Sequence, residues 1–167
     1  MFAKPIRLSS LHLLFAMLLL GCASLDTDVV FFLSLHQLTD ATVNSAGTRF
    51  HTIALSADGV TKANIITYPV VSSQQILKAE VAPGKNRKCG LRIFFDRQGT
   101  SRWLNASVYN RGERLAILVD SLLVGYVSLP SRPDNRGYAD LPALWTRQEA
   151  QDIVAHAKKN YQSTNRK

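Results

Sequence analysis

The stretch GLRIFFDRQGTSRWLNASVYNRGERLAILVDSLLVGYVSLP, residues 90–130, decides how this chain folds. Leu91, Ile93 and Phe95 alternate with Arg92 and Phe94, the period of a strand with one face buried. Asp96 then stands where a helix cap belongs, and the spacing predicts a helix over residues 97–109, stopped by Asn110-Arg111-Gly112. Residues 115–119 form an unbroken apolar run between Arg114 and Asp120, which predicts a central strand covered on both faces. Residues 122–129 return as a second strand. The prolines of Pro130-Ser131-Arg132-Pro133-Asp134-Asn135 keep that segment out of any sheet interior, so it is a loop, and residues 137–141 follow as an edge strand.

Outward toward the C-terminus, Thr146-Arg147-Gln148-Glu149 is a capping box, and Ala150, Ile153, Val154, Ala157 and Tyr161 recur at helical spacing behind it. Outward toward the N-terminus the elements are shorter. Val29-Val30-Phe31-Phe32-Leu33 reads as a buried strand within residues 26–39, residues 49–55 as a second strand before an Asp58-Gly59 turn, and residues 63–68 as a third closed by Pro69. Ser72-Ser73-Gln74-Gln75-Ile76-Leu77 predicts a short serine-capped helix, and Pro83-Gly84-Lys85-Asn86 a turn. The class expected is α+β, a small and mostly antiparallel sheet with two main helices packed on one face.

This pattern resembles the head part of the large periplasmic domain of SecD, the membrane accessory of the bacterial protein-export translocon. Asp96, Gly99, Trp103, Gly112, Arg114-Leu115-Ala116-Ile117, Asp120, Thr146, Glu149 and Ala150 stand at the family's motif positions, with no gap from Asp96 to Asp120. Upstream, Tyr68-Pro69-Val70-Val71-Ser72 and Ile76-Leu77-Lys78-Ala79 resemble the segment before its central strand, so the likeness spans residues 63–160. The family's Asp-Gly turn is Asp120-Ser121 here, with Leu122 where a lysine is usual. The matched residues are turn formers and core positions, which speak to fold more than to activity. The resemblance implies a head domain without the transmembrane bundle in which SecD couples to the proton gradient.

The first residues carry a second resemblance. Lys4 and Arg7 precede an apolar run over residues 11–20 that is too short for a bilayer span and ends at Gly21-Cys22. Leu19-Leu20-Gly21-Cys22 is similar to the lipobox of bacterial lipoproteins, departing from it at Leu20. That resemblance implies a signal peptide over residues 1–21, cleavage before Cys22, and a covalent diacylglycerol and N-acyl lipid on Cys22 as the only non-protein group expected. Two or more acyl chains suffice for stable anchoring. Ala23 after the cysteine favours the outer over the inner membrane within the family's sorting pattern, with the body facing the periplasm. The organisation expected is thus a leader, a tether and strands over 22–62, a head-like domain over 63–161 and a basic tail over 162–167.

The 167 residues hold one modest domain. The net charge of +8 is spread rather than striped and lacks interleaved aromatics, so a nucleic-acid groove is not expected. A basic body tethered to an anionic membrane can lie against it. Of two cysteines, Cys22 is the anchor, which leaves Cys89 without an internal disulfide partner and reading as a passive turn residue. His36, His51 and His156 are isolated in sequence and show no metal-ligand spacing, so no metal is expected. No nucleophile elbow is present, and Asp96, Asp120 and Glu149 each have a local structural task, so no catalytic residue is assigned and no enzyme is expected. What remains is a binding module for envelope proteins or exported polypeptides. Arg132, Arg136 and Tyr138 are its candidate contacts, beside an edge strand able to accept a peptide. The competing class is a structural envelope lipoprotein adhering to outer-membrane or wall components.

Overall fold

The computed structural model describes residues 30–40, 49–54, 62–84 and 86–165. The lipobox with Cys22, the Asp58-Gly59 turn, Lys85 and the last two residues of the basic tail lie outside them. In chain order the elements are β1 (Leu33–Thr39), β2 (Phe50–Ala54), β3 (Lys62–Ile66), β4 (Val71–Ser72), β5 (Ile76–Pro83), β6 (Cys89–Phe95), α1 (Arg97–Tyr109), β7 (Arg114–Val119), β8 (Leu122–Ser128), β9 (Tyr138–Trp145) and α2 (Arg147–Thr164). The class is α+β, antiparallel in every strand pair described.

The strands divide into two sheets instead of the one expected. The larger runs β2-β3-β1-β7-β8, with β4 also paired to β1; the smaller runs β5-β6-β9. Strand β1 joins the halves of the larger sheet because one of its edges is shared: Ser34 and Leu35 pair with β4, while Leu38 and Thr39 pair with β3. One continuous core lies among both sheets and both helices, with Leu35, Leu115 and Ile117 from the larger sheet, Leu91 and Ile93 from the smaller, Trp103 from α1 and Ile153 from α2. A second small core of Ile53, Ile65, Ala116 and Leu118 covers the opposite face of the larger sheet. Strand β7 therefore buries alternate residues in two different cores, which is why its sequence is unbroken in apolar character.

Local signals account for the ends of both helices. The Asp96 carboxylate accepts the Gly99 amide at 2.7 Å, and Gly99 has no room for a side chain because a Cβ there would meet Gln75 Cβ at 2.9 Å. At α2 the Thr146 hydroxyl accepts the Glu149 amide while the Glu149 carboxylate accepts the Thr146 amide at 2.7 Å. The helix continues to Thr164, past the Tyr161 expected from periodicity.

Three readings need correction. Residues 72–77 form no helix: the Gln75 amide carbonyl accepts the Ser72 amide and hydroxyl, both at 3.1 Å, which closes a tight turn from β4 into β5. The strand near the N-terminus starts at Leu33 rather than at Val29. Cys89 is no turn residue but the first residue of β6, buried beside Leu91 in the main core.

Candidate functional site

The smaller sheet buries one face and leaves the other open. Its register places Ala79, Ile93 and Ala139 in one cross-strand row and Leu91 and Leu141 in the next, all facing the core, while Val81, paired with Leu91 near the end of β5, is exposed. The alternate positions build two rows on the outer face: Lys78, Phe94 and Tyr138, then Glu80, Arg92 and Asp140. Period-two alternation in three paired strands makes this face, so every residue on it is a cross-strand neighbour of another.

Tyr138 is its centre. The guanidinium carbons of Arg92 and Arg136 lie 4.7 and 4.6 Å from its ring centroid, and the Phe94 ring lies 6.0 Å away. Arg136 also donates to the Tyr138 hydroxyl at 3.1 Å. Lys78 Nζ sits 4.3 Å over the Phe94 ring and pairs with Glu80 at 2.6 Å. Arg92 grips Asp140 with two hydrogen bonds of 2.7 and 3.1 Å, and that pairing raises its pKa above the ordinary guanidinium range.

The loop leading into β9 is held from behind. Arg136 pairs with Asp134 through two bonds of 2.9 Å, and Asp134, only 6% exposed, also accepts Trp103 Nε1 at 3.2 Å. The Asp134 amide donates to Ser107 at 3.0 Å, so α1 positions the loop and the loop positions Arg136. The hydrogen bonds from Arg136 outweigh burial and hold the Asp134 carboxyl at about 2.

Three cations on this surface, Lys78, Arg92 and Arg136, each meet one carboxylate. The face is therefore electrically balanced and presents aromatic rings edged by polar groups. Strand β9 ends the sheet, paired only to β6 among the described strands, and Pro142 within it is compatible with that edge position.

Of the sequence-derived candidates, Arg136 and Tyr138 come together here. Arg132 is exposed and joins none of these contacts. Lys78, Glu80, Arg92 and Phe94 join Arg136 and Tyr138 here without having been candidates from the sequence, although Arg92 and Phe94 stood on the open side of a predicted strand. The alternation in Lys78-Ala79-Glu80-Val81 was the signal for β5, overshadowed by the serine-glutamine run before it.

A concavity of about 450 Å³ lies on the larger sheet, lined by residues including Phe32, Ser34, His36, His51 and Asp120. His36 and His51, far apart in sequence, have ring centroids 6.1 Å apart. His36 Nδ1 faces the Ile66 carbonyl at 2.8 Å and so carries the proton, which makes Nε2 the acceptor for the Ser34 hydroxyl at 3.0 Å. Burial lowers the His36 pKa, with the Ile66 bond opposing the shift and His51 adding to it, which favours the neutral ring. Among the described residues no three His, Cys, Asp or Glu side chains are grouped to hold a metal ion.

No family model matches this sequence, and no curated protein matches it either. Solved structures do. The membrane component SecDF that enhances protein export aligns with a TM-score of 0.55 at 16% identity, over 93% of this chain and 71% of that one. The fold is SecDF-like. SecDF in its super-membrane-facing form also aligns at 0.55, with 17% identity, over 77% of this chain but only 18% of that larger one. Identities this low speak to the fold alone. The first alignment reaches beyond the residues 63–160 that resemble SecD by sequence.

Proposed function

We propose that this protein is a bacterial envelope lipoprotein, anchored through Cys22 and facing the periplasm, whose SecDF-like domain binds other polypeptides in protein export without performing chemistry on them. The fold carries the reading: the SecDF likeness runs through 93% of the chain. The outer face of β5-β6-β9 supports it, because Tyr138 and Phe94, framed by Arg92, Arg136 and Lys78, offer rigid amphipathic contacts beside the β9 edge.

The test is in-cell crosslinking of the full chain through a C-terminal tag, with mass spectrometry of what co-purifies. Exporting chains or translocon components are expected, and Phe94→Ala with Tyr138→Ala is expected to lower their recovery about tenfold, the equivalent of about 1.4 kcal/mol. Recovery of outer-membrane or wall components alone, lost steeply as salt is raised, would replace this reading with the structural one.

A further inference from the structure

The start of the described chain is fastened at four consecutive backbone positions. Asn160 of α2 donates to the Val30 carbonyl at 2.8 Å; the Asp120 carboxylate accepts the Phe31 and Phe32 amides at 3.1 and 2.7 Å; the Ser73 hydroxyl accepts the Leu33 amide at 2.9 Å. Phe31, at a φ of 54°, also lies against His156 of α2, ring centroids 5.2 Å apart. Asn165 at the end of α2 donates to the Gln74 carbonyl. These bonds gather one pole of the molecule: the incoming chain, the β4–β5 turn, the β7–β8 turn and the last turns of α2.

That pole exposes apolar side chains that nothing in the fold uses. Leu122, just past the β7–β8 turn, is 71% exposed, and Val30 is 37% exposed. Lys158 and Lys159 are exposed on the last turns of α2; of the acids near this pole, Asp120 is engaged by the two amides and Asp96 caps α1 and meets Tyr161. Tyr109, 82% exposed, belongs to the other end. Its neighbour Asn110 reaches Gln37, and Gln37 pairs with Leu115 at the end of the β1–β7 ladder opposite Leu33 and Val119.

We infer that this pole, with Leu122 at its tip and Lys158 and Lys159 beside it, seats on the lipid bilayer surface. The inference rests on the Cys22 anchor proposed above. The chain from Cys22 to Val30 spans at most about 29 Å even when fully extended, and the four fastened positions bring the body to the membrane with this end leading. Leucine enters the interface, and the lysines face anionic headgroups.

The test uses the full chain in cells, with photoreactive benzoylphenylalanine in place of Leu122 or of Tyr109, and fatty-acid labelling at Cys22 read in parallel. Lipid adducts at position 122 and none at 109 are expected. Lys158→Glu with Lys159→Glu should lower the adduct yield at 122 at least about fivefold. Absence of lipid adducts at 122, or equal yields at 122 and 109, overturns the seating whatever the label at Cys22 shows. Adducts at 122 alone without the fatty-acid label uphold the seating and overturn the anchor.

Discussion

The two sheets use the same antiparallel pairing and differ in what they do with their second face. In β5-β6-β9 that face is open to water, and its charged side chains pair with one another, Lys78 with Glu80 along β5 and Arg92 with Asp140 across β6 and β9. In the larger sheet it is covered, so polar groups caught there need fixed internal partners, as His36 has in Ser34 and Ile66. The difference is written in the strands: β6 interrupts its apolar residues with Arg92, whereas β7 does not interrupt Leu115 to Val119. A face exposed to solvent can be rebuilt for binding at little cost in stability, since exposed ion pairs contribute about 0–1 kcal/mol. A covered face cannot.

The largest test of that contrast is Trp103→Ala, which empties a core site and strips Asp134 of its indole donor. Destabilisation of about 3–5 kcal/mol is expected by chemical denaturation. A loss under about 1 kcal/mol would mean the open face does not depend on the core behind it. Asp120→Ala probes the larger sheet, removing the acceptor of two backbone amides, and should cost about 2 kcal/mol.

Acid separates the sheets further. Asp134 is held at about 2 against 3.8 in the unfolded chain, so its stabilisation is fully present above the unfolded value and is lost as pH falls from about 4 to about 2. Because Arg136 is half exposed, the effect expected is about 1–2 kcal/mol, and it should vanish in Asp134→Asn. His36 acts at higher pH. Its folded pKa lies below the unfolded 6.5, so the unfolded chain takes up the proton first and stability declines as pH falls below about 6.5. Denaturation at two pH values on either side of that point, in the wild type and in His36→Gln, checks this; an equal pH dependence in both would reassign the titration.

The smallest effect expected is a gain. Val119 and Leu122 pair around Asp120 and Ser121, whose φ values of 48° and 69° are those a two-residue hairpin turn requires. Ser121 occupies the second position with a side chain that disfavours it, so Ser121→Gly should stabilise by about 0.5–1 kcal/mol. A loss of stability would show that the serine has a role this turn does not reveal.

Much of this architecture was legible in the chain before any coordinates. Asp96 and Thr146 mark the starts of α1 and α2 because a cap needs only a residue and the amides just after it. The unbroken run in β7 announced coverage on both faces, and the motifs from Asp96 to Ala150 pointed to the SecD-like fold. Tertiary structure alone decided the rest. Residues 72–77 form a tight turn because the Gln75 side chain closes on Ser72, and the chain changes sheet there, β4 pairing with β1 and β5 with β6. Tyr138 meets Arg92 across 46 positions, and Asp120 reaches Phe31 and Phe32 across 89 and 88, distances over which periodicity carries no information. Local hydrogen bonding and burial pattern are properties of neighbouring residues; register between distant strands is a property of the packed whole.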